Sequence, residues 1–208
     1  MEPLPGLAST GRPRSTDFRA VINALRYLVR SGVEWRMLPN DFPQYRTVYY
    51  WFRRFMRRTM FKTIHDLAMM LDRMCSGREV APTAGLVDSQ TVKAPAAQQA
   101  GYDANKKIRG RKRHVAVDTD GRLLEMNLTP ADVADSTGAK LVLDALQKRW
   151  PWVKHLFGDA AYDRRTLMDK VAFMDFTVEI VRKLEGQVGF AVQPRRWVVA
   201  RTFGWLMR

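Results

Sequence analysis

The sequence predicts an α/β domain built on a mixed sheet, preceded by an all-helical, helix-turn-helix-like module. Three observations carry this. Between residues 15 and 75 the apolar residues recur at helical spacing. From residue 84 onward short β-branched runs and helical patterns follow the order strand, strand, strand, helix, strand, helix, strand, helix, a mixed-sheet order. The turn-like Ala81-Pro82-Thr83-Ala84-Gly85 separates the two regimes, so the helical module is expected at 1–80 and the α/β domain at 84–208.

The helical half begins after a basic lead-in, Met1 to Arg14, that contains Gly11-Arg12-Pro13-Arg14. Arg12 and Arg14 suit an extended arm in an AT-rich minor groove, although taken alone these four residues read better as a solvated arm. Ser15 or Thr16 offers an N-cap for a helix whose apolar stripe is Phe18, Val21, Ile22, Leu25, Leu28 and Val29, ending at Gly32. A proline-punctuated connection, Trp35 to Pro43, leads to a second helix, Tyr45 to Arg58. There the aromatics Tyr49, Tyr50, Trp51, Phe52 and Phe55 are expected to form a core stripe, with Arg53, Arg54 and Arg57 projecting as DNA-binding residues on phosphates. A third amphipathic helix, Phe61 to Met74, turns Ile64, Leu67, Ala68, Leu71 and Met74 inward.

The α/β half opens with the strand Gly85 to Lys93, which carries Asp88 among apolar and β-branched residues. A carboxylate in that setting costs several kcal/mol unless a cation or strong hydrogen bonds meet it. Ala94 to Ala104 reads as a polar linker, followed by the basic run Lys106, Lys107, Arg109, Arg111, Lys112 and Arg113. Such a run can hold DNA beside a carboxylate site without entering a groove; alone it reads equally as a solvated loop. His114 to Asp118 and Leu123 to Leu128 form a hairpin through Asp120-Gly121, and a helix covers Asp132 to Lys148. A strand, Trp152 to Phe157, then delivers Asp159 just after Gly158, where α/β sheets place ligand groups. A helix, a strand at Phe176 to Val181, and a proline-started helix from Pro194 close the chain.

Charge narrows the partner. Thirty-five Lys and Arg against 21 Asp and Glu give +14, which favours a polyanion and makes double-stranded DNA the leading candidate. No run of 18 apolar residues and no signal peptide is visible, so a soluble, cytoplasmic protein with no membrane partner is expected. One cysteine, Cys75, excludes an internal disulfide and a multi-cysteine zinc site. His65, His114 and His155 are too scattered for a histidine metal cluster. Asp88 and Asp159 on neighbouring strands make chemical sense as metal ligands. Magnesium needs one or two protein carboxylates, with water and substrate phosphate completing its shell.

Taken together the motifs resemble a bacterial insertion-sequence transposase of the Asp-Asp-Glu superfamily. They are GRPR (11–14), WRMLPNDFP (35–43), TVYYWFRR (47–54), VDSQTVK (87–93), GYDANKKIRGRKRHVAVDT (101–119), GDAAYD (158–163) and PRRWVVARTFGWL (194–206). The resemblance implies a ribonuclease-H-like catalytic domain and Mg2+ or Mn2+ as cofactor. It further implies transposon-end and target DNA as partners, a homo-oligomer on DNA, and cleavage and strand transfer on a nucleoid-associated protein. By position, Asp88 and Asp159 match the two catalytic aspartates, and Arg196 matches an arginine one helical turn before the third acid.

That third acid is a glutamate in the family and Ala200 here. Alanine has no ligating atom, so the resemblance implies impaired catalysis. It also implies that 84–208 is a C-terminally truncated catalytic domain, because the family continues its last helix further. Two alternatives stay open: a non-catalytic, possibly inhibitory DNA-binding derivative, and a metal-dependent nuclease without a joining step.

Overall fold

The computed structural model describes residues 16–94, 98–182 and 196–207. Two compact units divide between Met69 and Met70. In the first, helix α1 (Phe18–Ser31) is capped by Asp17, whose Oδ1 accepts from Arg19 N at 2.8 Å. The cap is therefore one residue beyond the expected Thr16, and Ser15 lies outside the described residues. Gly32, at φ 67°, ends the helix in the left-handed conformation that glycine adopts without steric cost. Val21, Ala24, Leu25 and Leu28 are buried, whereas the expected stripe member Val29 points to solvent, one step around the helix from Leu28.

Helix α2 (Tyr45–Arg57) packs against α1 through Val48, Trp51 and Phe55, with Phe18 and Trp51 edge to face at 4.6 Å. The aromatic stripe is narrower than expected: Tyr49 and Tyr50 are exposed, because four consecutive helical residues cannot all face one neighbour. Helix α3 (Met60–Cys75) buries Met69, while the expected inward residues Ile64, Leu67, Leu71 and Met74 are each at least half exposed. Periodicity identified that stripe but not whether a partner covers it.

The second unit is a six-stranded sheet. Its strands are β1 (Ala84–Lys93), β2 (Gly101–Asp103), β3 (Ile108–Asp118), β4 (Leu123–Pro130), β5 (His155–Gly158) and β6 (Thr177–Ile180). The order β4-β3-β1-β5-β6 places three antiparallel strands beside two that run parallel to β1. The short β2 continues the β4 edge of β3. This is the mixed sheet flanked by helices that the order of elements in the sequence led us to expect. Two boundaries move: β2 lies inside the presumed polar linker, and β3 extends back through the basic run, which is strand rather than loop.

Helix α4 (Asp135–Arg149) lies against β3 and β4, and α5 (Arg165–Phe173) against α4 and β6. Helix α6 (Arg196–Trp205) covers the opposite face, where Val199 and Phe203 pack with Leu86, Val115, Val117 and Phe157. At the β3–β4 turn Asp118 is fully buried, and its carboxylate is matched by an ion pair with Arg73 and a second with Arg122 Nη1 at 3.4 Å. The Arg73 pair fixes the last turn of α3 to the sheet.

Candidate active site

Strand pairing brings the two aspartates together. In the parallel β1–β5 ladder Leu86 is opposite Phe157, so two residues further along each chain Asp88 comes opposite Asp159. Both Leu86 and Phe157 belong to the core under α6, and alternation returns Asp88 to that same face, while Asp159 follows the end of β5 as the cap of the short turn Ala160–Tyr162. The ladder ends at Leu86 and Phe157; β5 stops at Gly158, so Asp159 lies just past the carboxyl end of that strand, the usual place for a ligand group in such sheets, while β1 runs on to Lys93. Each carboxylate is locally oriented: Asp88 Oδ1 accepts from Ser89 N at 2.7 Å, and Asp159 Oδ1 from Ala161 N at 2.9 Å.

Behind this pair is a polar layer that sequence reading missed. Ser89 Oγ donates to Asp135 Oδ1 at 2.7 Å, and Lys112 Nζ stands 3.0 Å from the same oxygen. Lys112 Nζ also donates to Val133 O at 2.9 Å and lies 3.9 Å from Asp103, which accepts from Thr91 Oγ1 at 2.5 Å. Burial pushes the Asp103 carboxyl up, but Thr91, the Lys106 backbone and the Lys112 charge more than offset it, leaving it below its ordinary value. Tyr162 is buried close by. Burial, then the negative fields of Asp88, Asp135 and Asp159, hold its hydroxyl well above the usual range. A neutral phenol surrounded by three carboxylates marks this end of the sheet as a place that favours positive charge.

The other expected site residues divide into groups. Ala200 is exposed on α6, whose neighbouring Val199 is buried against the sheet. Arg196 opens α6, and its side chain, like Arg12 and Arg14, lies outside the described residues. Arg53, Arg54 and Arg57 line a cleft of about 530 Å3 on α2 with Arg46, Arg58, Tyr49 and Tyr50. Lys106, Lys107 and Arg109 are exposed, while Arg111 and Arg113 are half-buried on the Asp88 face. Lys112 is corrected: strand alternation turns it to the α4 side, where it is 7% exposed and serves Asp135 instead of presenting its charge to DNA. A signal for the missed Asp135 existed in Ala131-Asp132-Val133-Ala134-Asp135-Ser136, an acid at a helix start; nothing local linked it to Ser89.

Comparison with known proteins decides the family. Residues 80–208 match the transposase DDE domain, and residues 1–65 match a putative transposase of the IS4/5 family. The chain belongs to the DDE-domain transposases. No curated protein matches this transposase. Solved structures similar to it include a chain of the simian T-cell lymphotropic virus intasome in complex with PP2A regulatory subunit B56 gamma, at 17% identity and TM-score 0.42, covering 61% of this chain and 39% of that one. Two others are the piggyBac transposase synaptic complex with hairpin DNA (14%, TM-score 0.34, 52% and 24% covered) and the Mos1 strand transfer complex (11%, 0.31, 84% and 60%). The chain therefore spans less than two thirds of each of these chains. No described helix is long and apolar enough to cross a membrane.

Domains of this family depend on divalent metal. Among the described residues no group of three or more His, Cys, Asp or Glu is placed to hold a metal ion. The donor set fits a hard divalent cation with two carboxylates, which magnesium accepts when water and phosphate oxygens fill the remaining positions.

Proposed function

We propose that this chain acts on the DNA ends of an insertion sequence, with Asp88 and Asp159 as metal-holding catalytic residues and Ala200 as the reason its chemistry is slow. What supports the reading is that the parallel β1–β5 ladder, paired through Leu86 and Phe157, leads two residues further on to Asp88 on one chain segment and Asp159 on the other. A bound Mg2+ or Mn2+ would polarise the phosphodiester and lower the pKa of the attacking water or 3′-hydroxyl. The chain's own residues do the rest. Ser89 N and Ala161 N orient the two carboxylates; Arg53, Arg54 and Arg57 on α2 bind phosphates; Arg196 is assigned to the phosphate at the reacting centre. In this reading residues 1–80 serve as the DNA-binding module and 84–208 as the catalytic domain of a cytoplasmic protein that assembles as a homo-oligomer on double-stranded DNA.

Loss of one acidic ligand removes several kcal/mol of transition-state stabilisation, or roughly a thousandfold in rate. The test is metal-dependent nicking of DNA carrying the element's own ends. The Ala200→Glu variant is expected to cut about a thousandfold faster than the parent, and Asp88→Asn in that background to abolish cutting. Equal cutting by parent and Ala200→Glu, unaffected by Asp88→Asn, overturns the assignment. Ala200 also favours a second reading, a DNA-binding derivative without cleavage, which is the outcome if Ala200→Glu binds but does not cut.

A further inference from the structure

The sheet face that carries Asp88 continues, two residues along β1, into a second polar patch. Gln90 of β1 is paired with Arg113 of β3, and Val92 with Arg111. Antiparallel partners share a face, so Asp88, Gln90, Arg111 and Arg113 all lie on the α6 side, in line with Leu86, Val115 and Val117. Arg113 is the diagonal neighbour of Asp88, a separation of roughly 7–8 Å between the strands.

Alternate residues of β3 are treated in opposite ways. Lys112, facing α4, is neutralised by Asp135 and Asp103. Arg111 and Arg113, facing the other way, have no ion pair among the described residues. Their directly opposite partners on β1 are Val92 and Gln90, and those on β4 are Pro130 and Leu128, so no carboxylate is paired with either; Asp88 is the diagonal neighbour of Arg113. Among the described residues Arg113 Nη1 makes long contacts, 3.5 Å to Leu206 O and 3.8 Å to Met207 Sδ. Two buried polar atoms in the patch, Gln90 Oε1 and Arg111 Nε, have no hydrogen-bond partner among the described residues. An unmet buried N–H on a guanidinium costs about 1–3 kcal/mol or more, and Arg111 and Arg113 are only half-buried, so each side chain also keeps exposed surface. The Gln90 amide can present either its oxygen or its NH2, because the two ends are interchangeable by a half-turn.

We propose that Gln90, Arg111 and Arg113 form a phosphodiester cradle that holds the DNA backbone beside the bond presented to Asp88. The cradle rests on the DNA-processing reading above and adds its geometry: the bound strand crosses β1 and β3 on the α6 face, with the guanidiniums taking phosphate oxygens. Gln90 is a positioning residue for the backbone next to the reacting phosphate.

The test uses the full chain in EDTA and a fluorescently labelled duplex of arbitrary sequence, with binding followed by anisotropy from about 50 to about 200 mM KCl. Arg111→Gln and Arg113→Gln are each expected to weaken binding several-fold and to reduce the slope of log affinity against log salt by about one, with Arg113→Lys keeping the slope. Gln90→Leu is expected to weaken binding equally at every salt concentration. Unchanged affinity and slope in both arginine variants overturns the cradle. So does a loss that Arg113→Lys shares together with a lowered melting temperature, since that is the mark of a structural arginine. Metal-free binding is independent of cutting, so a failure of Asp88-dependent nicking removes the catalytic reading without moving these slopes.

Discussion

His114 shows how much one buried side chain in this sheet depends on its surroundings. It is 1% exposed, its Nε2 meets Thr129 Oγ1 at 2.9 Å, and Gly138 of α4 lies against its ring. Burial, which outweighs the raising field of Asp135 and is helped by the charge of Lys112, lowers its pKa to about 4 from an ordinary value of 6.5. The folded state thus holds the ring neutral while the unfolded chain takes up a proton below pH 6.5. This neutral ring's contribution is complete above pH 6.5 and is lost as pH falls toward 4, by roughly 3 kcal/mol in all. Urea midpoints measured from pH 7 to pH 4.5 should fall faster for the parent than for His114→Gln; identical pH profiles would refute this. Asp88 and Asp159 were legible as residues because a charge inside an apolar strand is out of pattern. Ser89, Asp135 and Tyr162 were not, since each is unremarkable locally and acquires meaning only from a contact, such as Ser89 to Asp135 across 46 positions of sequence.

Elements carry the next level of constraint, and Gly138 in α4 is where two effects compete. Replacing a helix-interior glycine with alanine ordinarily stabilises by about 1 kcal/mol. Here an added Cβ falls 2.1 Å from His114 Cε1 and 2.2 Å from Nε2, so α4 must lift away from β3 or the buried ring must move. Overpacking of that kind costs about 1–3 kcal/mol or more, and it should win. Gly138→Ala is expected to lower unfolding free energy by about 1 kcal/mol or more, read from chemical denaturation. A stabilised variant would show that the α4–β3 contact yields easily. The same strand explains the one misplaced cation: Lys106 to Arg113 looked like a single basic cluster, yet from Ile108 on it is strand, and a period of two sends Lys112 to one face and Arg111 and Arg113 to the other. Charge density is visible along a sequence, but the face each charge takes depends on secondary structure. On α3 the converse holds, since a clear apolar stripe at Ile64, Leu67, Leu71 and Met74 stays exposed.

For the whole molecule a formal charge of +14 makes DNA binding strongly dependent on salt. Reversing Arg53 and Arg54 to glutamate should weaken binding to two unrelated duplexes by the same factor and flatten the salt dependence by about two units of slope, because phosphate contacts carry affinity without sequence choice. Discrimination lost on one duplex and not the other would assign those arginines to base edges instead. The two units divide at Met69 and Met70, earlier than the expected 80 to 84. The sequence by itself determined the helical start and the strand-and-helix order that follows it, β2 excepted, together with the basic surplus, the two out-of-pattern aspartates and the alanine at position 200. Those properties are written in local periodicity, composition and motif order, which need no knowledge of what is distant along the chain. Tertiary structure alone decided that β1 and β5 run side by side up to Leu86 and Phe157, that Lys112 is consumed by Asp135, and that Gln90, Arg111 and Arg113 share a face with Asp88. The physical reason is that strand register joins residues 17 to 71 positions apart, and each ladder fixes the face of every side chain it contains.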